Sequence, residues 1–135
     1  MIKVLLSIGS NYGEREQNVS LAAKNLSKIL FFFKESPVYE TEGAGLKSGM
    51  TRYYNCVVEG YFPRTLEELE TLLKRMEKEA GRDATRRERG EVPLDIDIVV
   101  ADSVILKEWD FKQQFFQYGY SFIQNALNPV ESKAD

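Results

Sequence analysis

The chain has no histidine, one cysteine and four prolines in 135 residues, and its charges nearly cancel, with 18 Lys+Arg against 21 Asp+Glu for a formal net charge of -3. Each scarcity excludes something. Without histidine there is no Ser-His-Asp or Cys-His catalysis and no imidazole metal site, so any general base or metal ligand is a carboxylate, lysine or tyrosine. Cys56, alone, forms neither an internal disulfide nor a thiolate zinc cluster, in keeping with a reducing compartment. The near balance of charge, with no long block of one sign, disfavours a general nucleic-acid or membrane-surface binder. The longest uninterrupted apolar run, Ile29 to Phe33, falls far short of the roughly 20 residues of a membrane span. Met1 leads into a strand-like segment rather than a signal peptide, so a cytoplasmic protein is expected. What is present is 43% hydrophobic residues, enough for one core in a chain near the commonest domain length. Residues 1–135 therefore read as a single domain.

Residues 3–8 are short, β-rich and stopped by Gly9, which predicts a strand running into a loop at Gly9-Ser10-Asn11. From Glu14 to Leu30 the apolar residues Val19, Ala22, Ala23, Leu26, Ile29 and Leu30 recur at spacings of three and four, the period of an amphipathic helix. Residues 31–41 read as a strand that Pro37 breaks or confines to an edge. Gly43, Gly45, Ser48 and Gly49 mark a loop over 42–51, and 52–62, rich in Tyr and Val, is a third strand. Thr65 with Glu68 spells a capping box, Leu66, Leu69, Leu73, Met76 and Ala80 trace an apolar stripe, and Gly81 supplies the stop. Glu77 lies on that stripe, where a carboxylate either reaches water at the rim or needs a partner. A polar loop over 82–93, a strand over 94–101 and a hairpin through Asp102-Ser103 complete the pattern. The order β-α-β-β-α-β predicts an antiparallel α+β sandwich with both helices on one face of the sheet. After Lys107 the aromatic-rich tail, with Phe115, Phe116, Tyr118, Tyr120 and Phe122, is compatible with strand, loop or short helix.

Three features can carry chemistry. In Leu94-Asp95-Ile96-Asp97-Ile98 the strand period puts Asp95 and Asp97 on one face, about 7 Å apart along the chain. Like charges this close oppose each other's ionisation, and a shared divalent cation relieves them; magnesium suits such a pair, filling its other positions with water and substrate phosphate. The alternative is a solvated face of a half-buried strand. The loop from Arg82 to Arg89 carries four arginines against two acids, and guanidinium forks match phosphate oxygens, although a charged surface loop is common. Tyr53 and Asn55 share a strand face, presenting an aromatic plate beside an amide, which suits a flat heteroaromatic ring.

Five segments, Ser7-Ile8-Gly9-Ser10-Asn11-Tyr12-Gly13-Glu14-Arg15, Tyr39-Glu40-Thr41, Tyr53-Tyr54-Asn55-Cys56-Val57, Glu77-Lys78-Glu79-Ala80-Gly81-Arg82 and Pro93-Leu94-Asp95-Ile96-Asp97-Ile98, resemble in order and spacing the 6-hydroxymethyl-7,8-dihydropterin pyrophosphokinases of folate biosynthesis. The resemblance spans residues 3 to about 106. It implies a ferredoxin-like α+β domain that transfers the β,γ-diphosphate of ATP to the pterin hydroxymethyl oxygen, releasing AMP, with two magnesium ions on Asp95 and Asp97. It also implies pterin-site roles for Tyr53 and Asn55, with Thr41 and the following loop at the ring edge. Arg82 takes a phosphate-side role at the start of a mobile catalytic loop, Glu77 falls on an acidic position near the ATP site, and Gly9-Ser10-Asn11 is a structural turn.

Two departures stand out. Val92 occupies the place of the family's arginine before the Asp-containing strand, leaving Arg86, Arg87 or Arg89 to reach in from the loop. The histidine of the family's His-Pro-type motif is missing, with Lys112 near its position as a point charge. Tyr120 is the candidate second aromatic plate for the pterin. The expected partners are ATP and a hydroxymethyl-dihydropterin, with no nucleic acid or membrane, and a monomer is expected. The alternatives are a pterin- or nucleotide-binding paralogue with weak or no transferase activity, which the changed loop and missing histidine would mark, and a structural module with no ligand.

Overall fold

Alternation along the strands sorts the side chains into two layers. In β1, Ile2–Ser10, Val4, Leu6 and Ile8 belong to one buried cluster and Leu5 to another on the opposite face. The same division runs through β4, Tyr53–Phe62, and β5, Asp95–Ala101. Cys56, Val58, Ile96 and Ile98 join the first cluster, and Val57 and Val99 the second. The computed structural model describes residues 1–42 and 52–125. The loop expected over 42–51 lies outside them apart from Glu42, and so does the chain after Asn125.

Among the described residues the strands form a six-stranded sheet in the order β2-β4-β1-β5-β6, with β3 also pairing with β4, and every pairing is antiparallel. β2, Phe31–Glu35, and β3, Tyr39–Thr41, lie along one side of β4, and Pro37 falls in the gap between them. Pro37 thus breaks the expected single strand, and the break is at the sheet edge. Ser36 repairs it: its backbone N–H donates to Val57 O at 2.9 Å, and its hydroxyl accepts from Val57 N–H at 2.9 Å. β6, Val104–Ile105, closes the predicted hairpin, whose Asp102 has φ +52° in a conformation Asp tolerates.

Two helices, α1 (Arg15–Ser27) and α2 (Leu66–Glu79), cover the first face as the element order predicts. Val19, Ala22 and Leu26 of α1 and Leu69 and Leu73 of α2 pack there. Thr65 caps α2 by accepting from Glu68 N–H at 3.2 Å, and Gly81, at φ +103°, ends it in the left-handed region. Where the sequence leaves a polar loop, the structure has a single-turn helix, α3 (Ala84–Glu88), capped by Asp83. The tail resolves into helices α4 (Glu108–Lys112) and α5 (Gln114–Asn125). Phe116 and Ile123 of α5 bury against Leu5, Val57 and Val99, so helices cover both faces of the sheet.

Gly119 permits this packing: a Cβ there would lie 2.5 Å from Val57 Cγ2 and overlap the Tyr39 hydroxyl. No helix among the described residues is long and apolar enough to cross a membrane.

Candidate active site

The ends of β1, β4 and β5 that meet beneath α4 and α5 carry the polar residues. Gly9 pairs with both Asn55 and Asp95, and Ser7 with Asp97, so one row across the sheet brings Tyr53, Asn55, Asp95 and Asp97 to a common face. They line a cleft of about 230 Å³ together with Ser7, Gly9, Trp109, Asp110 and Phe115. Asn55 is buried and accepts from the Thr41 hydroxyl at 2.5 Å. A Cβ at Gly9 would stand 3.1 Å from the Asn55 amide nitrogen and 3.4 Å from the Tyr53 ring. The missing side chain leaves room for both residues, which makes Gly9 part of the cleft as well as of the turn the sequence assigns to it.

A second cavity, a groove of about 890 Å³, runs between α2 and the outer edge of β5. Lys74, Lys78, Arg82, Arg87 and Lys107 supply cations to its walls, Glu70, Glu77 and Asp83 supply carboxylates, and Leu66, Leu73, Ile98 and Leu106 supply apolar surface. Asp95 and Asp97 line this groove and the cleft alike.

The acidic residue on the α2 stripe has found its partners. Glu77 Oε2 accepts from Ile96 N–H at 2.8 Å, capping an edge amide of β5, and lies 3.0 Å from Arg82. Burial raises the Glu77 pKa, while the Ile96 N–H and Arg82 act against that rise. Arg82 also donates to Asp95 Oδ1 at 2.8 Å, and Lys107 Nζ stands 3.9 Å from Asp97. A cation therefore already faces each carboxylate. Burial, reinforced by the Asp95 charge, pushes the Asp97 pKa up to about 7. Among the described residues no group of three or more carboxylate or thiol side chains is placed to hold a metal alone. The donor set fits magnesium, which completes a two-carboxylate site with water and phosphate oxygens.

Three sequence candidates lie elsewhere. Arg86 lines neither cavity: its guanidinium lies 4.7 Å from the Tyr12 ring centre, its Nε donates to Gly81 O at 3.1 Å, and Glu91 is 3.5 Å away. It braces the loop, and Arg87 is the neighbour that reaches the groove. Lys112 is exposed on α4 and lines neither cavity. Tyr120 packs among aromatics, its ring stacked on Phe116 at 5.7 Å and 6.0 Å from Phe111. Val92 is tied down through its backbone, its N–H donating to Asn11 Oδ1 at 2.6 Å while Asn11 Nδ2 donates to Gly90 O at 2.9 Å. The turn at Gly9-Ser10-Asn11 thus anchors the loop just before Asp95.

Sequence reasoning missed Lys107, Trp109, Asp110 and Phe115. A signal existed for Lys107, because the tight hairpin at Asp102-Ser103 sends the chain back along β5 toward Asp97.

The fold and site define an antiparallel α+β domain whose carboxylate pair stands between a ring-sized cleft and a groove lined by charges of both signs. Residues 5–124 match the 7,8-dihydro-6-hydroxymethylpterin-pyrophosphokinase family, HPPK, and the chain belongs to that family. It is similar to the 2-amino-4-hydroxy-6-hydroxymethyldihydropteridine pyrophosphokinase of Aquifex aeolicus, 29% identical over 142 aligned positions covering 98% of this chain and 88% of that protein. It is 30% identical over 112 positions to the folate synthesis bifunctional protein of Arabidopsis thaliana, covering 77% of this chain but 23% of that protein. The folate synthesis bifunctional protein of Chlamydia trachomatis is 33% identical over 101 positions, covering 71% of this chain and 22% of its own length. The chain thus spans under a quarter of each of these two bifunctional relatives.

Proposed function

We propose that the protein transfers the terminal diphosphate of ATP to the hydroxymethyl oxygen of 6-hydroxymethyl-7,8-dihydropterin and releases AMP. Family membership supports the reaction class. The observation that carries the reading is that Asp95 and Asp97 line both cavities, so a ligand in each meets the other at one carboxylate pair. The cleft takes the pterin: Tyr53 offers a stacking face, and Asn55, steadied by Thr41, offers an amide to the ring edge. The groove takes ATP, with Lys74, Arg82, Arg87 and Lys107 drawn to its phosphates.

Asp95 and Asp97 would hold magnesium ions, which when bound neutralise charge on the phosphate oxygens during transfer. Arg82 is poised to exchange its hold on Asp95 for a phosphate oxygen, and Glu77 keeps the guanidinium near when it does. No covalent enzyme intermediate is required. The residues act by lining up the hydroxyl with the β-phosphorus and by offsetting charge. Lys107 and Arg87 provide cations in a chain that lacks the family's arginine at Val92 and its histidine.

Incubation with ATP, magnesium and the dihydropterin is expected to yield AMP and diphosphorylated pterin in equal amounts. Binding of both ligands without AMP above the protein-free background would reduce the protein to a binding paralogue and overturn the reading.

A further inference from the structure

A hydroxyl that attacks phosphorus gives up its proton, and a positioned acceptor speeds that step. In a chain with no histidine the acceptor is a carboxylate, a lysine or a tyrosine. Most such groups around the cleft are already engaged. Asp95 accepts from Arg82 at 2.8 Å, Asp97 faces Lys107 at 3.9 Å, and Glu77 caps the Ile96 N–H. Burial, with the Asp95 charge adding to it, raises the Tyr53 pKa, so that phenol keeps its proton. Asp110 differs from all of them. It is half-buried and lines the cleft, and among the described residues its carboxylate has neither a hydrogen-bond donor nor a paired cation.

The fold aims this free acceptor at the carboxylate pair. Lys107, which stands at the N-terminus of α4, lies against Asp97, and its carbonyl accepts from Phe111 N–H at 2.9 Å to close the first turn. Leu106 N–H and Lys107 N–H both donate to Val99 O, at 2.8 and 3.2 Å, which fixes that turn on β5. Asp110, three residues after Lys107, shares its side of the helix. Burial and Asp95 raise the Asp97 pKa and the Asp110 charge adds to them, while burial raises the Asp110 pKa against the opposing charge of Lys107. Across the sheet, β1 separates Asn55 on β4 from the Asp pair on β5. A ring held at Tyr53 and Asn55 therefore extends its hydroxymethyl arm over Gly9 toward Asp95, Asp97 and Asp110.

We infer that Asp110 is a further catalytic residue, the carboxylate that accepts a hydrogen bond from the substrate hydroxyl and takes its proton during transfer. The hydroxymethyl oxygen forms a bond to the β-phosphorus of ATP as the bond from that phosphorus to the α,β-bridging oxygen breaks. The electron pair of the broken bond leaves with AMP, and the hydroxyl proton passes to Asp110, which returns it to water after release. The inference rests on the pterin reading of the cleft.

The test is steady-state AMP formation by the full chain, with calorimetric titration of the dihydropterin and of a non-hydrolysable ATP analogue with magnesium. Asp110→Asn and Asp110→Ala are expected to lower kcat by about 100-fold or more, the scale of a lost general base, and to leave both affinities within about three-fold of wild type. Asp110→Glu, which keeps the carboxylate, should recover most of the lost rate. Added formate, a free carboxylate that fits the space left by the side chain, should raise the Asp110→Ala rate several-fold and leave wild type unchanged. A wild-type kcat in Asp110→Asn, a loss carried by weaker binding of either ligand, or an Asp110→Ala rate that ignores formate would overturn the inference while leaving the proposed reaction standing. A wild-type chain that forms no AMP would overturn both.

Discussion

Asp97 sits in a position that favours its protonated form, because burial and the Asp95 charge both oppose ionisation. The folded chain therefore binds this proton more tightly than the unfolded chain, whose carboxylate titrates near its ordinary value of about 3.9. The stabilisation is full below that value and is lost as pH rises through the folded value of about 7. Without magnesium, the urea midpoint of wild type is expected to fall between about pH 5 and about pH 8 relative to that of Asp97→Asn, which cannot titrate. Parallel profiles for the two proteins would contradict this. Ser36 is the second residue on which the fold turns. Its hydroxyl is the acceptor for a buried amide, so Ser36→Ala should cost about 1–3 kcal/mol in denaturant unfolding. Asp95, Asp97, Tyr53 and Asn55 were legible as residues because strand alternation fixes which side chains share a face. Ser36 was not, because its role depends on the strand opposite the break at Pro37.

Among the elements, α5 is the one in which local preference and packing disagree. Alanine favours an isolated helix over glycine by about 1 kcal/mol, so propensity alone predicts that Gly119→Ala stabilises. A methyl group there meets Val57 and the Tyr39 hydroxyl, which itself donates to Phe115 O at 2.5 Å. Overpacking at such a contact costs about 1–3 kcal/mol, and Gly119→Ala is expected to lower thermal stability; an unchanged or raised melting temperature would refute the close approach.

The same glycine explains why the tail stayed open between strand, loop and short helix. Phe116, Gly119 and Ile123 form its buried stripe, but one of the three carries no side chain, and the exposed Tyr118 and Phe122 blur the period. By contrast α2 was legible end to end, since Thr65, the leucine stripe and Gly81 each state their role locally. The loop after it was read as charge alone. Which of its arginines faces the groove is decided by Asp83 capping α3 and by Tyr12 holding Arg86, contacts that no spacing in the sequence reveals.

At the scale of the whole molecule, a chain with little net charge sets Lys74, Lys78, Arg82, Arg87 and Lys107 along one groove beside the acids Glu70, Glu77 and Asp83, with Asp95 and Asp97 at its border with the cleft. The missing histidine agrees with the proposed reaction, in which positioning and charge neutralisation would do the work without an imidazole. The central claim is that Asp95 and Asp97 serve both cavities at once. Its most direct test is the initial rate of AMP formation from ATP and the dihydropterin, measured against magnesium concentration for wild type, Asp95→Asn and Asp97→Asn. The account predicts a magnesium-dependent wild-type rate and a loss of about 100-fold or more in each variant, the scale of removing one element of transition-state charge stabilisation, with pterin binding retained. Rates within a few-fold of wild type in either variant, or a wild-type rate indifferent to magnesium, would contradict it.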